Sequence, residues 1–336
     1  EHNMSEKLQV AIIGLGLVGR SAGLALHRFQ EKLAVIGHDR SPELASRAKS
    51  AGAVERTEWN LINTIRDADR VILALPLNEL RDTLDAIKED LRPGCVIIDT
   101  ADVKAPVMQW AAELLPANVH FVGGHPILLA DRLDADGARA DLFTGRNFCL
   151  TADAKTDDSG VRLAADLVEA LGAKPYFMDA EEHDGLVAAV SHLPALLATS
   201  LLSVTTGSPG WRDLRKLAGN PFFAGTVLVT DTGTEAIAGP FANRAHVIPW
   251  LDREIAELTR IREHLAQGNE AALAEQADDG LEASHNWVKA AMAGAEEPAG
   301  PAPEVPSMGS TFRDMFFGRL GRRADEKKQP DRPKRG

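Results

Sequence analysis

Cysteine is nearly absent: Cys95 and Cys149 are the only two in 336 residues, and each lies inside an apolar run. Two thiols so placed make no disulfide framework and lack the ligand spacing of a metal centre. No metal is expected, and the plain reading is a pair of buried thiols in a reducing compartment. Positive charge is also in short supply. With 37 Lys and Arg against 49 Asp and Glu, the formal net charge is −12. That excludes a general nucleic-acid binder, because phosphate neutralisation needs a surplus of cations. An anionic small molecule is still admissible, since a local basic pocket can sit on an acidic surface. The N-terminus Glu1-His2-Asn3-Met4 has no apolar h-region, so no signal peptide is expected there. The most apolar segment, Leu186 to Val204, is interrupted by Ser191, His192, Pro194 and Ser200. It reads as a buried helix rather than a membrane span. These absences give a cytoplasmic protein with no stable membrane association.

What is present is globular: 44% hydrophobic and 26% charged residues. The length exceeds one ordinary core and fits two domains plus extras. Leu8 to Ile13 is a short β-prone apolar run that ends in Gly14-Leu15-Gly16-Leu17-Val18-Gly19. A helix-forming stretch follows, then a second strand, Leu33 to Gly37, and Asp39 stands twenty residues after Gly19. Each part has a task in dinucleotide binding. Gly14 permits the tight turn, Gly16 lets backbone approach a pyrophosphate, and Gly19 allows close helix–strand packing. The helix start at Leu17 and Val18 offers free N–H groups and the positive end of a dipole. Asp39 can accept from ribose hydroxyls, which favours NAD over NADP. Arg40 is either a surface charge or a grip for a 2′-phosphate. Strand-like runs recur at 69–76, 94–99 and 119–123. Ligands in such sheets bind beyond the strands' carboxyl ends, so Leu75, Pro76, the segment 100–104 and Gly124-His125-Pro126 are candidates for chemistry.

From about Leu8 to about Leu265 the chain resembles the prephenate/arogenate dehydrogenase family. The resemblance is carried by Phe121-Val122-Gly123-Gly124-His125-Pro126, by Gly137, and by Leu142-Phe143-Thr144-Gly145. It is carried further by Glu182-His183-Asp184 running into Val190-Ser191-His192-Leu193-Pro194, by Asp99 to Lys104, and more loosely by Gly210-Trp211-Arg212-Asp213. It implies oxidative decarboxylation of a small anionic cyclohexadienyl substrate. Hydride goes to NAD+, and the product is 4-hydroxyphenylpyruvate from prephenate or tyrosine from arogenate. It also implies that His125 contacts the ring hydroxyl and assists its deprotonation, a role suited to a group titrating near neutrality.

His192 by itself is a core histidine in an apolar run; the motif makes it a pocket residue. His183 and Asp184 are expected to tie the start of the helical domain. Lys104 either serves cofactor or substrate or is a solvated charge. Three departures bear on the substrate. Asp102 stands where the family has Ser, Ala195 where many members have a second His, and Arg215 or Lys216 is the nearest candidate for a carboxylate-gripping Arg. An Asp beside His125 is expected to raise its pKa above ~6.5. The glycine motif alone would also suit a β-hydroxyacid-type dehydrogenase or an inactive NAD-binding relative.

The expected architecture is an α/β Rossmann-type nucleotide-binding domain over 7–180 followed by an all-α domain over 181–293. In the second half Leu251, Ile255, Leu258, Ile261 and Leu265 form the stripe of an amphipathic helix, which by resemblance serves a homodimer. Residues 294–336 read as a Pro-rich linker and a basic tail, either loosely docked or forming a surface-binding helix around Phe312, Met315, Phe316 and Leu320.

Overall fold

The computed structural model describes residues 7–129, 137–153, 156–227, 229 and 233–293; the linker and basic tail expected beyond residue 293 lie outside them. Alternation of strand and helix fills the first part. In chain order it runs β1 (Leu8–Ile13), α1 (Leu17–Leu26), β2 (Leu33–His38), α2 (Pro42–Ser50), β3 (Arg56–Thr57) and α3 (Leu61–Ile65). Next come β4 (Arg70–Leu73), α4 (Leu77–Ile87), β5 (Val96–Asp99), α5 (Ala105–Leu114) and β6 (His120–Pro126). The sheet is completed by β7 (Asn147–Thr151), α6 (Asp158–Ala170) and β8 (Lys174–Phe177). Its order is β3-β2-β1-β4-β5-β6-β7-β8, parallel except where β6 meets β7. The two-residue alternation of side chains sorts β1 between the faces. Val10 and Ile12 pack with Ala22, Leu26 and Leu167, whereas Ala11 and Ile13 pack with Leu80, Leu84 and Ile87 of α4.

Two details of this sheet position the site. Gly14 sits at φ +90, and a Cβ there would fall 2.2 Å from the Ala74 carbonyl oxygen, so only glycine fits the turn between β1 and α1. Gly-Gly-His-Pro does not follow its strand, as the sequence suggests, but lies within β6, with His125 opposite Cys149. Here β6 runs beyond its ladder with β5, which ends at Ile98–Val122. The Asp99 side chain takes over, accepting the Gly124 N–H at 2.9 Å.

Lys104 closes the same corner and corrects the expectation of a substrate ligand or solvated charge. Its side chain is wholly buried. The ammonium pairs with Asp99 and donates to the Gly124 carbonyl at 2.7 Å. A buried cation is tolerable only when paired and hydrogen-bonded in this way.

From Ala180 onward the described residues are helical: α7 (Ala180–Val187), α8 (Leu193–Thr206), α9 (Trp211–Leu214), α10 (Asn220–Thr226), α11 (Gly233–Ala242), α12 (Arg244–Gln267) and α13 (Glu270–Ala293). A wide turn, Ala188–His192, joins α7 to α8. Pro194 has no N–H for the Val190 carbonyl four residues back, which favours a locally widened helix. Ala180–Thr206 is thus one helical run of 27 residues, long and apolar enough by length and composition to cross a membrane. The expected buried helix is corrected: within this chain Val190 and Val204 are 76% and 72% exposed. On α12 the apolar stripe is likewise open, with Ile255, Leu258 and Leu265 all exposed.

The Lys104 arrangement makes a clear prediction. Lys104→Ala leaves the Asp99 carboxylate buried without its partner, at a cost on the order of 3–5 kcal/mol. The expected result is a large fall in the chemical-denaturation midpoint. Unchanged stability with a raised KM would instead return Lys104 to the role of substrate ligand.

Candidate active site

The glycine turn forms the first wall. Gly19 packs so tightly that a Cβ would lie 1.9 Å from the Gly14 carbonyl oxygen, yet a Cβ on Gly16 would meet nothing within 4 Å. Tight packing behind and open space in front are what a phosphate approaching backbone requires. Gly16 is the N-cap of α1, so the first-turn N–H groups of Leu17, Val18 and Gly19 face outward without helical partners. Asp39, at the end of β2, accepts the N–H of Leu15 and of Ser41, each at 2.7 Å. Its carboxylate is thereby fixed beside the turn, with lone pairs left for a ribose diol. Arg40 is mostly exposed and ion-paired with Glu79 on α4. These residues fit a dinucleotide.

A cleft of about 430 Å³ opens at the carboxyl ends of β4 and β5. Leu75, Pro76, Thr100 and Asp102 line its sheet side, while His192, Ala195, Leu196, Glu235 and Ile237 come from the helical part. Asp102 acts on His125 electrostatically, in the expected upward direction, while its hydrogen bond comes from His192 Nε2 at 3.2 Å. The tautomer follows from the far side of that ring. Asn243 turns its amide nitrogen to the Asp184 carbonyl at 2.6 Å and to His192 Nδ1 at 3.2 Å. Nδ1 therefore accepts, and Nε2–H donates to Asp102. Bonding to His192 holds the Asp102 carboxyl below its usual range despite its burial.

His125 is half-buried at the end of β6, with its Nδ1 2.9 Å from His183 Nε2 and the two rings edge to face. Burial pushes its pKa down to about 3, helped by the Lys104 ammonium and His183 and opposed by Asp102. This reverses the expected upward shift: desolvation and the cation behind the ring outweigh the single carboxylate. The imidazole is neutral across the physiological range.

His183 and Asp184 do tie the helical part to the sheet, and they do more. Asp184 accepts the N–H of Lys104 at 2.7 Å and of Ala105 at 2.9 Å, capping α5 from eighty residues away. The contact of His183 with His125 has no signal in the sequence beyond the Glu182-His183-Asp184 motif. Asn243 had no local signal. Arg215 and Lys216 are corrected as well: both are exposed just after α9, Lys216 pairs with Asp213, and neither lines the cleft. The two thiols are inert by environment, burial raising Cys95 to about 12 and Cys149 to about 11.

Fold and site together define a dinucleotide-dependent oxidoreductase with a helical second domain. Comparison with known families makes this specific. The family model described as "Prephenate dehydrogenase, nucleotide-binding domain" matches residues 22–177, and the one described as "Prephenate dehydrogenase, dimerization domain" matches residues 179–278. The chain belongs to the prephenate/arogenate dehydrogenase family. It is 28% identical over 291 residues to the cyclohexadienyl dehydrogenase of Zymomonas mobilis, covering 80% of this chain and 96% of that one. It is 27% identical over 272 residues to the prephenate dehydrogenase of Bacillus subtilis, covering 77% and 70%. The fold is also that of the A. aeolicus prephenate dehydrogenase crystallised with hydroxyphenyl propionate and NAD+. That match has a TM-score of 0.75 at 24% identity, over 84% of this chain and 99% of that one.

Proposed function

We propose that the chain oxidatively decarboxylates prephenate to 4-hydroxyphenylpyruvate in tyrosine biosynthesis, with NAD+ as hydride acceptor. The observation that carries this is a neutral histidine, His125, near the end of β6 and within the field of the cleft residue Asp102, in a chain matched by both domains of this family. When bound, NAD+ would supply the acceptor for the hydride that leaves the carbinol carbon. His125 takes the hydroxyl proton, the ring carboxylate leaves as CO2, and the ring becomes aromatic. Gly14, Gly16, Gly19 and Asp39 hold the cofactor, and His192 with Asp102 lines the substrate's place.

A second reading, arogenate, is favoured by one observation. Two carboxylates, Asp102 and Glu235, line the cleft, and a substrate carrying an ammonium is better matched to them than a dianion. A homodimer is supported by the dimerization-domain match and by the open apolar faces of α8 and α12. The two buried thiols suit a reducing, cytoplasmic setting.

Assay of NAD+ reduction with prephenate and arogenate side by side tests the reaction. His125→Asn should lower kcat by about 10²–10⁴, and absence of turnover with either substrate would overturn the proposal. The base works when unprotonated, so activity falls as pH drops through its pKa. A value pushed down to about 3 puts that fall far below neutrality. Between about pH 5 and 8 the kcat/KM profile should therefore carry no acid limb belonging to His125; a limb that vanishes in His125→Asn would contradict the structure.

Cofactor choice is a separate test. Asp39 repels a 2′-phosphate and Glu79 occupies Arg40, so NAD+ should be preferred at equal concentrations. A preference for NADP+ would show that Arg40 has left Glu79. For assembly, light scattering should report a dimer, with Ile255→Asp and Leu258→Asp together shifting it to monomer. A wild-type monomer would leave both apolar faces unexplained.

A further inference from the structure

Asp184 uses both carboxylate oxygens. Oδ2 accepts the Ala105 N–H, while Oδ1 accepts the Lys104 N–H and faces His183 Nδ1 at 2.8 Å. An ionised carboxylate can only accept, so the hydrogen between these two side chains sits on His183 Nδ1. With His183 neutral, its Nε2 is a lone pair, and that lone pair faces His125 Nδ1 at 2.9 Å. Two lone pairs at that separation repel, so His125 Nδ1 carries the hydrogen. The one N–H of a neutral His125 is thus spent on His183, and Nε2 is left bare.

We propose that His183, oriented by Asp184, is a positioning residue that fixes His125 as the Nδ1–H tautomer and so presents Nε2 as the acceptor for the substrate's hydroxyl proton. This rests on the reading of His125 as the base. His183 is 1% exposed whereas His125 is half-buried, so His183 acts through His125 and not by touching substrate. Its placement comes from the chain itself. Asp179 caps α7 by accepting from Glu181 and Glu182, which sets the first turn from which His183 projects. The carboxylate that orients it is anchored by the backbone N–H groups at the start of α5, in the sheet domain. The order is Asp184, His183, His125, then substrate, with a hydrogen-bond donor at each step pointing back toward the carboxylate. If His183 were instead doubly protonated, it would donate from Nε2 and hold His125 as the Nε2–H tautomer, which cannot accept the proton.

The test begins with the full-length protein labelled with 15N-histidine, read at neutral pH without substrate. The ring signals of His125 are identified by their loss in His125→Asn. Expected is a protonated Nδ1 and an unprotonated Nε2 in wild type. Kinetics supply the second readout. His183→Phe should lower kcat on the order of 10²-fold with KM within about threefold. His183→Gln should recover part of the loss, because its amide can donate to Asp184 and accept from His125. A merely structural role would move neither the tautomer nor the split between kcat and KM. An Nε2–H tautomer in the wild-type spectrum overturns the proposal, as does unchanged kcat in a folded His183→Phe protein. If that variant does not fold, the wild-type spectrum decides alone. Because the spectrum needs no substrate, failure of the proposed reaction shows separately, as no NAD+ reduction with the tautomer still as stated.

Discussion

A buried cation that must be neutralised organises this molecule. Lys104 has no access to water, so its ammonium is stable only while Asp99 and the Gly124 carbonyl surround it. That requirement fixes much of the corner around it. Asp99 must turn inward from the end of β5, and its second oxygen then holds the Gly124 N–H. Gly124 must lack a side chain, since a Cβ would lie 2.4 Å from the Asp99 carbonyl oxygen. His125 follows Gly124 directly, so its ring is aimed by the same constraint.

The cation also sets the electrostatics. In the low-dielectric corner its field disfavours a second positive charge, which with burial keeps His125 neutral. Asp102, hydrogen-bonded to His192, opposes this but is outweighed by burial and the cation. Two imidazoles close to one carboxylate thereby acquire different roles. One is bonded to the carboxylate at the cleft; the other is bonded away from it, toward His183.

How far this could be read in the sequence depends on how local each feature is. The strand, glycine turn, helix and acid of residues 8–39 are legible because the signals are close together and each has one physical use. His125 is legible through its motif, but its environment is not, since burial and the Lys104 field come from the fold. Lys104 itself looked ambiguous because a lone lysine is usually solvated. Asp99, five residues earlier at the strand end, was the available clue to its partner. The pairing of Asp102 with His192, ninety residues on, and of Asn243 with both His192 and Asp184, left no local trace. Apolar composition in 186–204 suggests burial within the chain, yet Val190 and Val204 are exposed there. Composition says only that a surface avoids water, and does not say whether its cover lies in the same molecule or in a second copy.

The cap that Asp184 places on α5 has a consequence for modularity. The start of a helix in the nucleotide-binding domain is completed by a side chain encoded after that domain's last strand, and the same side chain orients the ring beside His125. The two halves are therefore not interchangeable parts. A hybrid that joined this cofactor half to a foreign helical half would inherit an uncapped helix and an unoriented imidazole together, unless the new partner carried a His-Asp pair in the same place. Inheritance of the domains as one unit is written into a few hydrogen bonds rather than into the linker between them.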